Sequence, residues 1–357
     1  MKVALLGYRS DPYSGGQGVY IYYLSKALSD AGHRVDVISG PPYPKLDPRV
    51  RLVKLPSLDL FENGLGSLRL KHFLSISDLT EWWSKLTGGF AEPYSFGRRA
   101  FRYLSRRRHY YDLVHDNQSL SFGMLKLQAI GIPLVTTIHH PITSDLRIAL
   151  LDAPTWQDRF LIRRWHSFLK MQTRVARELR HIVTVSECSK QDIATDFRLS
   201  QNKIRVVYNG IDTKTFSPIP EIKRRKNLLM ATASSDAPLK GVTYLLKAFA
   251  LLREKYSDLE LVLVGKLREG GAGEQIIQDS NLSSSVFISS GVSTLELVKM
   301  YAEATLVIVP SVYEGFGLPA GEAMSCGVPV VSTDGGALPE VVGDSALVVP
   351  ARDAEAL

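Results

Sequence analysis

Short apolar runs recur along the chain, each followed by a loop and then by apolar residues at helical spacing. Val3, Ala4, Leu5 and Leu6 form the first run, which ends at Gly7. A glycine-rich loop follows, with Ser14, Gly15, Gly16, Gln17 and Gly18. Residues 19–28 then repeat Val, Tyr, Ile, Leu and Ala at helical spacing until Gly32 stops the helix. Residues 35–38 read as the second strand, and 113–114, 134–138 and 182–185 as further buried strands. Strands alternating with helices predict βαβ units and a parallel sheet.

The rhythm restarts near residue 227. Residues 228–232, 261–265, 286–288, 306–309, 328–331 and 346–349 read as strands, with a helix over about 242–252. The breaker-rich stretch at 216–220 and the charge run at 223–226 read as a linker. The pattern therefore predicts two α/β domains, 1–215 and 216–357. Residues 60–111 fit the rhythm poorly and read as long loops and helices inserted into the first domain. Residues 156–181 read as one amphipathic helix.

A length of 357 residues suits two domains of roughly 100–200 residues each. With 45% apolar and 22% charged residues, collagen, long disorder and small disulfide scaffolds are excluded. The two cysteines, Cys188 and Cys326, fit a reducing compartment and read as small buried side chains. No apolar run approaches the ~18 residues of a membrane helix. The apolar start is too short for a signal sequence, so the reading is cytoplasmic.

The net charge of +7 hides an asymmetry. Residues 1–210 carry 30 Lys and Arg against 18 Asp and Glu, whereas residues 211–357 carry 13 against 18. Six arginines crowd residues 98–108, with aromatic residues among them. At 100° per residue, Arg159, Arg163, His166, Lys170, Arg174 and Arg177 share one face of the 156–181 helix. The ordinary reading is a solvated face; the sharper one is peripheral contact with anionic headgroups or an anionic acceptor. No nucleic-acid recognition motif is present.

The densest constellation is residues 313–323, Tyr-Glu-Gly-Phe-Gly-Leu-Pro-Ala-Gly-Glu-Ala, just after the 306–309 strand. Pro319 suits the start of a helix. A helix N-terminus at the end of a parallel strand favours an anion, because free N–H groups and the helix dipole point outward. Gly315 and Gly317 let the backbone approach a ligand closely. Glu314 lies before the helix and Glu322 is read in its first turn; both can accept hydrogen bonds from hydroxyls. Carboxylates beside an anion site suit a ligand that is phosphorylated and rich in hydroxyls, such as a sugar nucleotide. Alone, two glutamates eight residues apart would be read as a capped turn.

Residues 314–342 also resemble the signature of the retaining nucleotide-sugar glycosyltransferases of the GT-B fold, the group 1 family (family 4 type). The shared features are Glu314, seven residues, Glu322, then Cys326-Gly327-Val328-Pro329-Val330-Val331 and Gly335-Gly336-Ala337-Leu338-Pro339-Glu340. The glycine loop at 15–18, Val185-Ser186-Glu187-Cys188-Ser189-Lys190, residues 207–212 and Pro238-Leu239-Lys240-Gly241 follow in the family's order. The resemblance implies two Rossmann-like, doubly wound domains facing a cleft. The chain stops at 349–357, whereas family members continue through closing helices. The resemblance therefore implies that the C-terminal helices are missing and the second domain is truncated.

The resemblance also implies roles. Glu314 would hydrogen-bond donor sugar hydroxyls, supported by the backbone of Phe316, Gly317 and Leu318. Glu322 would hold the ribose diol, Lys240 the diphosphate, and Gly16 the donor phosphate from the other domain. Where the family usually has an Arg five residues before the Lys, this chain has Ser235, a hydroxyl without charge. Either another basic group replaces that Arg or the diphosphate is held more weakly. His139 matches the family's histidine near the reacting carbon. His140 stands where the family often has a polar or acidic residue, and Asn117 reads as lining the acceptor side or as a turn residue. Glu314, His139 and Lys240 are thus the catalytic candidates.

No His/Cys/Asp cluster has metal-ligand spacing, so a metal-free, cofactor-free reaction is expected. The implied partners are a nucleotide sugar and an acceptor that is anionic or lipid-linked. The competing readings are a GT-B epimerase or phosphorylase, or a binding protein that kept the fold without turnover.

Overall fold

The computed structural model describes residues 1–12, 16–60, 62–233 and 237–357. They form two compact units. The first comprises residues 1–184 and 190–206, and the second residues 185–189 and 207–357.

The first unit is built on seven strands: β1 (Lys2–Gly7), β2 (Arg34–Ser39), β3 (Arg51–Lys54), β4 (Leu113–Asn117), β5 (Leu134–Thr137), β6 (Ile182–Thr184) and β7 (Ile204–Val206). They pair in parallel in the order β3-β2-β1-β4-β5-β6-β7. The helices are α1 (Gly16–Asp30), α2 (Ile76–Leu86), α3 (Glu92–Ser105), α4 (Phe122–Ala129), α5 (Thr143–Asp152), α6 (Trp156–Trp165), α7 (Leu169–Glu178) and, from residue 190 onward, α8 (Glu187–Phe197), whose first three residues belong to the second unit. Leu6, Ile38, Val114 and Ile138 face a large core with α3, α4 and α7 residues. Leu5, Val35 and Val37 face a smaller core with Ile21. Burial on both faces explains why the central strands read as continuous apolar runs. The pattern misses β3 and β7, which are the two edge strands, only four and three residues long and partly polar.

Residues 60–111 hold two short turns of 3-10 helix, then α2 and α3, as an insertion of loops and helices. Their arginine cluster is not one surface patch. Arg99 is shielded from water and pairs with Asp78 and, at 2.5 Å, with Glu81, tying α3 to α2. Arg102, Arg106, Arg107 and Arg108 stay exposed.

The single helix read over 156–181 is broken in two. A tight turn at His166–Phe168 separates α6 from α7. Trp165, His166 and Phe168 gather with Phe90, stacked on Trp165 at 5.0 Å. That aromatic packing turns His166 inward, off the basic face, where its Nδ1–H donates to the Ile162 carbonyl at 2.7 Å.

The second unit has β8 (Leu228–Ala233), β9 (Glu260–Gly265), β10 (Val286–Ser289), β11 (Leu306–Val309), β12 (Val330–Thr333) and β13 (Leu347–Val349). All are parallel, in the order β10-β9-β8-β11-β12-β13. Its helices are α9 (Val242–Lys255), α10 (Ala272–Asp279), α11 (Thr294–Glu303), α12 (Leu318–Ser325) and α13 (Leu338–Val342). Residues 207–215 belong to this unit. Phe216, assigned to a linker by its neighbouring prolines, is buried against Tyr301 and accepts a hydrogen bond from Ser325 at its carbonyl.

Candidate active site

Open parallel sheets bind ligands at the carboxyl ends of their strands, where the strand order reverses. In the second unit the reversal falls between β8 and β11. The loop after β8 carries Lys240 and the loop after β11 carries Glu314. Lys240 Nζ donates to Glu314 Oε1 at 2.7 Å, and Ser311 Oγ donates to the same oxygen at 2.8 Å.

The backbone fixes this meeting. Val312 N–H donates to the Leu239 carbonyl at 2.8 Å, joining the two loops. Gly241, at φ +65°, lies so close to the Pro310 carbonyl that a Cβ would collide with it. Gly336, at φ +64°, meets the Glu314 carbonyl in the same way, while Ala337 N–H donates to that carbonyl at 2.9 Å.

A second clamp holds the next residue. The Gly315 carbonyl accepts from Ser186 Oγ at 2.7 Å and from Ser189 Oγ at 3.0 Å. Glu340 accepts the backbone N–H groups of Glu187 and Cys188 at 2.8 and 3.1 Å, capping the start of α8. These residues stand in recognisable motifs, but local spacing gives them no task. Their partners lie about 130–150 positions away, and only the fold reveals them.

Phe316, Gly317 and Leu318 form the turn into α12, with Gly317 as its N-cap. Glu322 is the fifth residue of α12, one place beyond the first turn in which it was read. Burial raises its carboxyl pKa to about 7, although the Tyr301 hydroxyl donates to it at 3.3 Å and opposes the rise. Ser235 lies outside the described residues.

In the first unit the strand order reverses between β1 and β4. Strand register aligns Gly7, Asn117 and Thr137 at the ends of β1, β4 and β5. His139 follows β5. Its Nε2 lies 2.6 Å from Asn117 Oδ1, and its backbone N–H donates to Gln118 Oε1 at 2.7 Å. An amide oxygen only accepts, so Nε2 carries the proton. Burial, with His140 and His115 nearby, lowers the His139 pKa to about 3, so the ring is neutral at pH 7.

Asn117 is fully buried, and its carbonyl oxygen serves His139 rather than lining open space. His140 faces Asp145 at 3.0 Å. Behind His139, the Tyr20 ring packs edge-on at 4.5 Å, and Tyr20 and His115 both reach the Thr137 hydroxyl. Gly16 opens α1, exposed, with free space around it; Gly15 lies outside the described residues. Among the described residues no three His, Cys, Asp or Glu side chains gather as a metal site.

Known proteins match this arrangement. The model for Glycosyltransferase Family 4 matches residues 14–215, and that for Glycosyl transferases group 1 matches residues 213–357. An MMP alpha-(1->4)-mannosyltransferase of Mycolicibacterium hassiacum is 47% identical over 358 residues, covering 98% of this chain and 86% of that protein. Sucrose-phosphate synthase from Thermosynechococcus elongatus superposes with a TM-score of 0.72 at 21% identity, covering 100% of this chain and 87% of the other. Anabaena HepE in complex with UDP-glucose superposes with a TM-score of 0.71 at 18% identity, covering 99% and 87%. The two parallel sheets, the loops at their reversals and these matches together make the chain a GT-B glycosyltransferase, a member of glycosyltransferase family 4.

Proposed function

We propose that this protein transfers a mannosyl group from a nucleoside-diphosphate sugar to an acceptor hydroxyl, with retention of anomeric configuration. The Lys240–Glu314 pair at the strand-order reversal carries the reading. The 47% identity to a mannosyltransferase supports the sugar, and the UDP-glucose complex of HepE supports the donor class.

In this reading Lys240 turns from Glu314 to the donor diphosphate, and Glu314 takes sugar hydroxyls. Glu322 accepts from the ribose diol, which needs its ionised form. Phe316, Gly317 and Leu318 offer backbone groups near the N-terminus of α12, Gly16 approaches the donor phosphate, and Ser235 supplies a hydroxyl. The bond from the anomeric carbon to the phosphate oxygen breaks as negative charge grows on the diphosphate. Lys240 and the helix dipole oppose that charge, so they favour the transition state over the ground state. The acceptor oxygen attacks from the same face, and its proton passes to the departing phosphate. Neutral His139 contacts the sugar near the reacting carbon, and His140 lies on the acceptor side. The proposal includes no metal or cofactor.

The acceptor is anionic or lipid-linked, drawn by the basic surface of the first unit, and the protein works in the cytoplasm, at times on the inner membrane face. No helix among the described residues is long and apolar enough to cross a membrane.

The test incubates the full chain with a panel of nucleotide sugars and mannosyl acceptors and follows product by NMR. An α-mannoside from an α-linked donor is expected. A β product, or a glycosyl-enzyme adduct trapped for mass spectrometry, would overturn the mechanism. Sugar conversion without an acceptor would indicate an epimerase, and dependence on inorganic phosphate a phosphorylase.

A further inference from the structure

An apolar cavity of about 570 Å³ opens in the first unit among α2, α3, α4 and α7. Trp83, Phe90, Tyr94, Phe122, Phe168 and Met171 dominate its lining. That size and character fit a small-molecule site rather than a packing defect. Serine and threonine hydroxyls also reach it, but among the described residues no carboxylate, carboxamide or imidazole does. A bare sugar chain, which needs such acceptors, is therefore a poor occupant.

Among the described residues, one charged group lines the cavity. Arg164 donates to Ser167 Oγ at 3.0 Å and to Thr87 Oγ1 at 2.6 Å. The guanidinium lies where a side chain on Gly89 would otherwise stand. Among the described residues it has no carboxylate partner. Arg99 on α3 differs: two acidic residues satisfy it. A cation fixed by two neutral hydroxyls keeps its charge available and its orientation set. An anion placed there gains charge-assisted hydrogen bonds in partly apolar surroundings.

We propose that this cavity binds a single-chain amphiphilic anion, with the aliphatic chain among the aromatic residues and the acidic group on Arg164. Charge complementarity selects the anionic end, and the aromatic lining selects the chain. The site adjoins the loop after β1: Phe90 packs edge-on against Tyr8 at 6.3 Å and lies under the Arg9 guanidinium. All of its lining residues belong to the first unit.

The test titrates the full chain with dodecyl phosphate and with dodecanol below their aggregation concentrations, by calorimetry and tryptophan fluorescence. Saturable one-to-one binding of dodecyl phosphate is expected, about tenfold tighter than dodecanol, the difference a charge-assisted bond supplies. Arg164→Gln should reduce that preference to about twofold and leave dodecanol binding unchanged. Thr80→Trp, at a half-exposed lining position, should weaken both ligands at least about tenfold by filling the cavity. The proposal fails if dodecyl phosphate does not saturate, if Arg164→Gln keeps the preference, or if Thr80→Trp binds like the parent. It also fails if only vesicles of phosphatidylcholine and phosphatidylglycerol bind, because the occupant would then be a bilayer. Should Arg164→Gln not fold, the Thr80→Trp comparison decides.

Discussion

Lys240 and Glu314 are 74 residues apart in the chain, yet their side chains meet at 2.7 Å, both largely shielded from water. Each neutralises the other. In the proposed reading, a diphosphate that captures Lys240 releases Glu314 to accept sugar hydroxyls, which would couple binding of the two halves of the donor.

Lys240→Ala should weaken binding of a nucleoside diphosphate by at least about tenfold, from the loss of a charge-assisted contact. Glu314→Gln should leave that binding unchanged or tighter, because it frees Lys240, while transfer falls on the order of 10²-fold. Calorimetry and initial rates check the pair. Equal loss of nucleotide affinity in both variants would contradict the coupling.

Glu322 gives a pH dependence of defined sign. Its folded pKa, about 7, lies above the ordinary 4.5. Between those values the folded state holds a proton that the unfolded state has released. The stability Glu322 contributes is therefore present below pH 4.5 and lost as pH rises through 7. Glu322→Gln should flatten that decline in urea titrations run from pH 4.5 to 7.5. Donor affinity in the parent should rise across pH 7 as the carboxylate forms, and the variant should lack this rise.

The Gly315 carbonyl has two hydroxyl donors, Ser186 and Ser189. Removing the Ser189 hydroxyl leaves Ser186, so Ser189→Ala alone should cost under about 0.5 kcal/mol; Ser186 Oγ also accepts from the Ser189 backbone N–H at 3.0 Å, so Ser186→Ala should cost about 1 kcal/mol. The double variant strands a buried carbonyl and should cost about 2–3 kcal/mol, more than the sum of the singles. Denaturant midpoints measure the difference, and strict additivity would count against the shared role.

Arg99 holds Asp78 and Glu81, and Glu81 is 3% exposed. Arg99→Ala leaves that carboxylate buried without its cation and should cost about 3–5 kcal/mol. Arg106→Ala, on the exposed part of the same cluster, should change stability by under about 0.5 kcal/mol. Chemical denaturation of both variants separates them.

The two α/β units, most strands and the Glu314–Glu322 segment are legible in the sequence because each rests on local signals. Apolar runs mark strands buried on both faces, and the glycine and proline spacing marks the turn into α12. What stays hidden depends on distant partners. Nothing near Asn117 indicates that its oxygen holds His139; that follows from the pairing of β4 with β5. The inward turn of His166 depends on Phe90, 76 positions earlier, so helical periodicity alone places it on the wrong face. The split of the arginine cluster into a buried Arg99 and an exposed remainder is set by α2, which the pattern did not resolve from its surrounding loops.

Gly241, Gly336 and Gly16 have different consequences for how the protein tolerates change. The first two press against carbonyl oxygens in left-handed backbone, whereas Gly16 has open space. In a saturation library, substitutions at 241 and 336 should lower cellular abundance and activity together. Substitutions at 16 should leave abundance intact, so any loss of activity there would report a ligand contact rather than damage to the fold.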